Sequence, residues 1–321
     1  MVDTHRYLHF NLTHTGTSED NHYVDIAKLM SETNRRMYRQ GMNYHIKRIT
    51  FDDADDNADI DVATLPQTWT TQRAWEMGFK NWQSQQYWGL KALGIERFGR
   101  WQDFKIYVNT DHKGDVDKAA FIDVNGNTAS TGDWDYSHFQ IPRDGDTDPT
   151  VSDIAMMASP SGSFPGYSVT ALLNELENSL ENPTEDLAID SGANVSLFSR
   201  LSSHASDTEL LHAVTEDLET ENDYPPYSTN KVMGAGTAGA GRPSSPWKVN
   251  GCMLLGDNSQ QATLPGFVAP CGLLMIETKS STDGNSIGCL IELAAGSYKG
   301  VKAMPMQGGY SGKYPFRDLL A

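Results

Sequence analysis

Residues 64–100 read TLPQTWTTQRAWEMGFKNWQSQQYWGLKALGIERFGR and contain four of the seven tryptophans of the 321-residue chain. Bulky side chains recur there at steps of three and four residues, a spacing that predicts one face of an amphipathic helix. The residues of that face are Trp75, Phe79, Trp82, Gln86, Leu90 and Leu93. Thr68 precedes them and suits an N-cap, because its hydroxyl accepts a hydrogen bond from a first-turn N–H. We expect a helix whose aromatic face lies in the core.

Segments before this helix alternate apolar and polar residues, as half-buried strands do. Three of them are Arg6–Thr13, Asn43–Phe51 and Ile60–Leu65. Between the first two, Tyr23–Gln40 has apolar residues at helical spacing and is followed by Gly41. This pattern predicts a helix that ends in a glycine C-cap.

Beyond the aromatic helix, strands are predicted on both sides of a long polar region. Residues 144–166 and 224–246 are rich in loop-forming residues, whereas residues 167–223 carry leucines at helical spacing. The absence of strand–helix–strand alternation favours antiparallel sheets with helical insertions, in a sandwich or a barrel. The predicted strands are Trp101–Thr110, Lys118–Val124, Tyr136–Ile141, Lys248–Leu255, Gly272–Lys279, Ser286–Ala294 and Tyr298–Met304.

The composition is acidic, with 25 Lys and Arg residues against 42 Asp and Glu residues and a formal net charge of −17. This charge favours solubility and repels nucleic acid on average. No window approaches 18 consecutive apolar residues and no secretory signal is visible, so we expect neither a membrane span nor secretion. Cys252, Cys271 and Cys289 lie in apolar runs, and we expect reduced core thiols in a protein made in the cytosol.

Short motifs in the sequence lack the context that cofactor or metal binding requires. Gly234–Gly239 matches GxGxxG, but the prolines of Arg242–Pro246 cannot begin the helix that this fingerprint needs. Asp123–Asn127 and Asp144–Asp148 resemble calcium loops without the glycine and glutamate of an EF-hand. We predict no cofactor, no metal ligand and no catalytic residue. Opportunistic Ca²⁺ at the acidic turns is left open.

Charge is unevenly distributed along the chain. Residues 31–50 contain five bases and one acid, whereas residues 174–223 contain thirteen acids and one base. This asymmetry suggests one basic and one acidic side of the molecule. The alternative is ordinary solvated helical surface. The basic residues of the first cluster are Arg35, Arg36, Arg39, Lys47 and Arg48.

Three stretches carry a further signal. They are Asn34–Gly41 (NRRMYRQG), Thr64–Pro66 with Trp69, Ala74-Trp75 and Gly78-Phe79, and Gly296–Val301 (GSYKGV). In this order they resemble capsid proteins encoded by small circular single-stranded DNA viruses, chiefly those known from marine and other environmental sequences. The resemblance covers about a fifth of the chain. It implies an antiparallel jelly-roll β-sandwich that self-assembles into an icosahedral shell around DNA.

The resemblance turns the sequence features into specific expectations. Residues 1–321 form one jelly-roll capsid domain, with a loop-and-helix insertion at residues 144–246. The partners are copies of the chain in the virion and a single-stranded DNA genome, after synthesis in the host cytosol. The nucleic-acid-facing residues are Arg35, Arg36, Arg39, Lys47 and Arg48, and the acidic residues 174–223 face outward.

One feature departs from many such capsid proteins, which begin with a long basic arm. Residues 1–22 contain only Arg6 and histidines as basic groups, so DNA contact is expected to be weak and to come from the folded basic patch. Two other classes remain open. A β-sandwich carbohydrate- or receptor-binding protein is favoured if the Asp-rich loops bind Ca²⁺ and sugar, and a β-sandwich glycoside hydrolase if two carboxylates face one cleft.

Overall fold

The computed structural model describes residues 4–13, 19–52, 58–92, 101–114, 134–141, 150–157, 169–179, 248–255, 261–280 and 286–306. The predicted strand Lys118–Val124, both Asp-rich turns, the glycine motif and most of the acidic stretch lie outside these ranges. The chain divides into two compact units, Met1–Leu176 with Lys231–Ala321, and Glu177–Asn230.

Strands make up most of the described elements. In chain order the elements are β1 (Tyr7–Thr13), β2 (Asp20–Asp25), α1 (Ile26–Asn34), β3 (Met42–Asp52), β4 (Ala58–Thr64), α2 (Trp69–Ala92), α3 (Thr110–Gly114), β5 (His138–Ile141), β6 (Thr150–Ala155), β7 (Val169–Ala171), α4 (Leu172–Ser179), β8 (Lys248–Leu255), β9 (Gln261–Ala269), β10 (Leu273–Ser280), β11 (Ser286–Leu293), β12 (Ala295–Gly296), β13 (Gly300–Val301) and β14 (Ala303–Pro305). The chain is therefore mainly β, with few helices, as predicted.

Two curled antiparallel sheets form a half-barrel. In the first sheet, β1 pairs with β11 and β11 with β3, while the other edge of β3 pairs with β9. The second sheet has the order β2-β10-β4-β8. Inward side chains from both sheets, such as Phe10 of β1 and Ile276 of β10, belong to one apolar core. A separate small sheet joins β5, β6 and β7.

Helix α2 confirms the prediction made from the aromatic stretch for its first half. The Thr68 hydroxyl accepts a hydrogen bond from Thr71 N–H at 3.3 Å and caps the helix. Trp75, Phe79 and Trp82 are buried, as expected. In the second half the predicted face is less buried, because Gln86 and Leu90 are only partly buried, and Leu93 lies outside the described residues. Trp88, which is not on that face, is 61% exposed.

The prediction of a helix over Tyr23–Gln40 is only partly right. Strand β2 runs to Asp25, whose carboxylate then caps α1 by accepting from Lys28 N–H at 3.1 Å. The helix ends at Asn34 because Arg35 adopts a left-handed conformation with φ of 49°, so Gly41 is not the C-cap. The apolar spacing at Tyr23 suits a strand and a helix equally, and the strand is stabilised by pairing with β10.

Strands β6, β7 and β9 were not predicted either, and β7 lies in residues 167–223, which were predicted to be helical. Strand β6 lies in residues 144–166, which were predicted to form a loop, and β9 contains Pro265 and Gly266, which normally interrupt strands. Proline fits because β9 is an edge strand whose pairing partner is β3. Glycine fits because a Cβ at Gly266 would lie 2.7 Å from the Ile46 and Lys47 carbonyl oxygens.

The segment predicted as a strand at Trp101–Thr110 is extended, and with the described residues it makes one isolated bridge, from Tyr107 to Ala155. Part of its backbone is paired with a side chain instead of a strand. The Gln40 amide accepts from Ile106 N–H at 2.6 Å and donates to Ile106 C=O at 3.0 Å. The Gln40 amide thus makes the two hydrogen bonds to Ile106 that the backbone of a residue on a neighbouring strand would otherwise make.

Cys271 and Cys289 are free thiols, as expected. Cys271 and Cys289 are buried, whereas Cys252 on β8 is exposed, so the expectation of three core thiols is wrong for that residue. Within the described ranges, no helix combines the length and hydropathy needed to cross a membrane.

Candidate nucleic-acid interface

A β-bulge places two predicted DNA contacts side by side on the outer face of the first sheet, the face turned away from the core. Along β3, Arg48 is opposite Glu292 and Ile46 is opposite Leu293, so Lys47 is an additional residue relative to β11. The bulge shifts the alternation, and Lys47 and Arg48 are both exposed although they are consecutive. We call Lys47 and Arg48 the basic pair.

The basic pair converges on one carboxylate from β11. Lys47 Nζ donates to Glu292 Oε1 at 2.7 Å, and Arg48 Nε donates to Glu292 Oε2 at 2.7 Å. The Tyr7 hydroxyl of β1 donates to Oε1 at 3.4 Å. Pairing positions these groups, because Tyr7 lies opposite Glu292 and Glu292 lies opposite Arg48 across three neighbouring strands.

Burial differs sharply between the acid and its bases. The side chain of Glu292 is 4% exposed, whereas those of Lys47 and Arg48 are 60% and 53% exposed. Hydrogen bonds and charge from Lys47, and then from Arg48, lower the pKa of Glu292 below its usual value. Glu292 is therefore ionised at neutral pH, and the three side chains together carry one net positive charge.

Arg35 and Arg36 occupy a different position, at the end of α1 beside the start of β1. The side chain of Asn34 links the two elements, accepting from His5 N–H at 2.8 Å and donating to His5 C=O at 3.0 Å. Arg35 is exposed and Arg36 is partly exposed. Both remain candidates for contact with phosphate.

The assignment of Arg39 as a nucleic-acid-facing residue is wrong. Arg39 is buried, with 5% of its surface exposed. Its guanidinium lies 3.4 Å from Asp103 Oδ1 and also donates to the Gln102 carbonyl. Its charge therefore compensates a buried carboxylate and is not presented to solvent.

A buried polar network joins residues 101–112 and 134–137 to β2 and the segment before β3. The Asp25 carboxylate accepts from the Gln40 amide at 3.0 Å and from the Tyr136 hydroxyl at 3.3 Å. The Tyr136 hydroxyl lies 3.5 Å from His112 Nε2. This network was not predictable from sequence patterns, because its members come from distant segments of the chain.

Burial shifts the pKa values of the titratable groups in this network. Burial raises the pKa of Asp25, although its hydrogen bonds with Lys28 and Gln40 oppose the shift. Burial, with a contribution from Lys28, lowers the pKa of His112 to about 3. Since His112 Nδ1 accepts from Val108 N–H at 3.1 Å, the ring is held as a neutral imidazole.

Two carboxylates of this network can be compared with the pair that a glycoside hydrolase requires. Asp25 and Asp103 are both bound by Gln40, through its side-chain amide and its backbone N–H respectively. Each is at most 5% exposed. The two carboxylates of a glycosidase must face the sugar in a cleft. These two acids bind protein donors instead, as structural groups do.

Two of the stretches that carry the family resemblance contact each other. Arg39 N–H donates to the Tyr298 hydroxyl at 3.0 Å, and the Tyr38 hydroxyl donates to Lys299 C=O at 3.0 Å. The Lys299 ammonium lies 5.5 Å from the Tyr38 ring centroid. These contacts fix the hairpin of β12 and β13 against the segment before β3, which indicates a structural role for both stretches.

Among the described residues, no group of three or more His, Cys, Asp or Glu side chains is arranged to hold a metal ion. No protein family matches the chain, and no curated protein or solved structure matches it either. Function is therefore inferred from strand order, the charged outer face and the resemblance of the three sequence stretches.

Proposed function

We propose that the two sheets form an eight-stranded jelly roll. When β1, β2, β3, β4, β8, β9, β10 and β11 are numbered from first to eighth, the first pairs with the eighth, the second with the seventh, the third with the sixth and the fourth with the fifth. The same nested pairing is found in one long antiparallel hairpin that is divided into four successive strand pairs. Successive strand pairs belong alternately to the first and the second sheet, an arrangement that supports the double Greek key of a jelly roll.

The protein that we propose is a structural subunit of a virion, which self-assembles into an icosahedral shell around single-stranded DNA. The nested pairing is the observation that carries this proposal. Jelly rolls also occur in lectins and cupins, and the resemblance of the three sequence stretches favours the capsid among these classes. The role is assembly, and no catalytic residue is assigned.

The partners follow from the same proposal. Copies of the chain contact one another in the shell, and the genome contacts Arg35, Arg36, Lys47 and Arg48 from inside. Arg39 is removed from this set because its charge is buried with Asp103. The outward orientation of the acidic stretch remains a prediction, since most of that stretch lies outside the described residues.

Sedimentation and electron microscopy of the purified chain test this function. At micromolar concentration we expect large, uniform closed particles under at least one combination of salt and Ca²⁺ concentration, because shell contacts bury roughly 1,200 Å² or more each. A fixed small oligomer would support the binding-protein class instead. A chain that stays monomeric under every condition would overturn the capsid proposal.

A carbohydrate- or receptor-binding protein is the second candidate. Trp88 and Trp101 are 61% and 60% exposed, and tryptophan is one of the residue types enriched at binding interfaces. The two candidates differ in how variants behave. Trp88→Ala and Trp101→Ala are expected to abolish glycan binding in a lectin, whereas a shell subunit shows no glycan binding to lose.

A further inference from the structure

We propose that Glu292 limits the affinity of the basic pair for phosphate, so that one subunit holds single-stranded DNA weakly and an array of subunits holds it firmly. This inference rests on the proposed function, because it names how the DNA contact of a shell subunit is regulated. It concerns the three side chains of Lys47, Arg48 and Glu292 on the outer face of the first sheet.

The geometry leaves hydrogen-bond donors for a second anion. Arg48 reaches Glu292 through Nε alone, and Lys47 uses one of its three ammonium donors. Neither base makes another hydrogen bond or ion pair within the described part of the chain. The Nη1 and Nη2 groups of Arg48 therefore present the fork that binds phosphate in a bidentate manner.

The electrostatics limit how strongly that fork binds. Two bases and one ionised acid leave a single positive charge, and Glu292 is 4% exposed and hydrogen-bonded to both bases. Binding of single-stranded nucleic acid gains a salt-dependent factor for each phosphate neutralised, with a slope of about 0.7 per phosphate. With Glu292 present, each subunit neutralises one phosphate with these bases and not two.

Weak binding of DNA by each subunit would favour assembled subunits over free ones. The free chain carries a net charge of −17, which opposes its encounter with DNA. When many copies are held together, each further contact becomes intramolecular and total affinity rises steeply. A carboxylate that halves the local charge therefore favours DNA binding by assembled subunits over binding by free ones.

Helix α2 provides a matched control. Glu76 also holds one arginine and one lysine, with Arg73 Nη1 at 3.3 Å and Lys80 Nζ at 2.6 Å. Both bases are more than half exposed, and their hydrogen bonds lower the pKa of Glu76. The change Glu76→Gln therefore alters net charge by the same amount as Glu292→Gln at a different surface.

The test is a charge series measured by fluorescence anisotropy with labelled oligo-dT at 50–200 mM NaCl. Glu292→Gln leaves two charges, Arg48→Gln with Glu292→Gln leaves one, and Lys47→Gln added to that pair leaves none. None of these variants leaves Glu292 buried as an unpaired anion. Circular dichroism checks the fold of each variant.

We expect Glu292→Gln to bind roughly fivefold to tenfold more tightly than wild type at 50 mM salt and to steepen the salt slope by about 0.7. The double variant should return to the wild-type affinity, the triple variant should bind more weakly than wild type, and Glu76→Gln should match wild type. Weaker binding by Glu292→Gln, or an equal gain for Glu76→Gln, would overturn the inference.

Assembly is scored separately, by sedimentation of the same samples. Closed particles without the graded charge series would defeat this inference and leave the shell function standing. A graded series in a chain that never assembles would defeat the shell function and leave the phosphate site standing.

Discussion

Residues 103–106 have two buried faces that differ in chemistry. On one face, Phe104 lies 5.4–5.8 Å from the rings of Trp75, Phe79 and Trp82, measured between centroids. On the other face, Asp103 pairs with Arg39, and Lys105 lies 4.4 Å above the Trp134 ring. One extended segment thus contacts the aromatic helix with alternate residues and the polar network with the residues between them.

Burial has different consequences for apolar and for charged side chains. Apolar rings gain from leaving water and carry no charge that pH changes. Buried charges lose solvation, which lowers the pKa of Lys105 although the nearby carboxylates of Asp103 and Asp25 oppose the shift. We therefore expect the contribution of the aromatic face to the free energy of unfolding to be independent of pH. The contribution of the polar face should change with pH.

The largest effect is expected from the aromatic face. Phe104→Ala removes a fully buried ring and leaves a cavity between three others, which should cost about 3–5 kcal/mol in the free energy of unfolding. Urea denaturation measures the loss. Trp88→Ala, at an exposed ring on α2, should change stability by less than about 0.5 kcal/mol. A cost below about 1 kcal/mol for Phe104→Ala would mean that the aromatic face is not a tight core.

The next effect is expected from the charged pair on the polar face. Asp103→Asn leaves the buried Arg39 without its carboxylate and should cost about 3 kcal/mol, since Arg39 keeps its hydrogen bond to Gln102. The loss should be nearly the same at 0.1 and 1 M NaCl, because buried pairs are weakly screened. Glu76→Gln, at an exposed pair, should cost under about 1 kcal/mol. Equal costs for both variants would erase the distinction between the two sites.

The pH dependence of stability separates the two faces more finely. The pKa of His112 is about 3 in the folded chain and about 6.5 in the unfolded chain, so between these values only the unfolded chain binds the proton. Stability therefore falls as pH falls from 6.5 towards 3. Between pH 7 and pH 4.5 this group should remove roughly 2–3 kcal/mol, a loss that His112→Gln lacks.

Denaturation at both pH values tests this expectation. His9→Gln, at an exposed histidine of β1, controls for loss of an imidazole. The stability advantage of wild type over His112→Gln should shrink on acidification, while Phe104→Ala keeps a constant difference. An unchanged difference for His112→Gln would contradict a buried neutral ring.

The smallest effect is expected in the part of α2 that touches neither face. A Cβ at Gly89 would meet no atom within 4 Å, so Gly89→Ala should stabilise the chain by about 0.5–1 kcal/mol through helix propensity. At Gly78 a Cβ would lie 2.6 Å from Leu172 Cδ2, a buried side chain that must move. Thermal melts of the two variants should therefore shift in different directions or by clearly different amounts.

Strands with one regular buried face were predictable from the sequence. Alternation located β3 and β11 within a residue of their observed bounds, because inward and outward residues differ in polarity. Strand β9 was missed, because Pro265 and Gly266 are tolerated there for reasons that depend on the neighbouring β3. The end of α1 was misplaced, because an arginine in a left-handed conformation leaves no sequence signal.

The charged sites were predictable only in part. Clustering along the chain located Lys47 and Arg48, but their common partner Glu292 lies 245 and 244 residues further on. Arg39 belongs to the same cluster in sequence, yet its partner Asp103 lies on a segment that only the folded chain brings near. The sequence shows which residues are basic. Only their burial and ion pairs in the folded chain show which of them can contact a ligand.

The nested pairing of the strands means that β1 is synthesised long before its partner β11. Tyr7 and Glu292 are neighbours across β1 and β11, although 285 positions separate them. At roughly 5–20 residues per second, a ribosome needs on the order of 15–60 s between making the first strand and making its partner. Throughout that interval β1 has free backbone donors and acceptors, which neighbouring nascent chains on the same messenger can pair with. A chain whose translation stops before residue 286 never acquires the partner of its first strand.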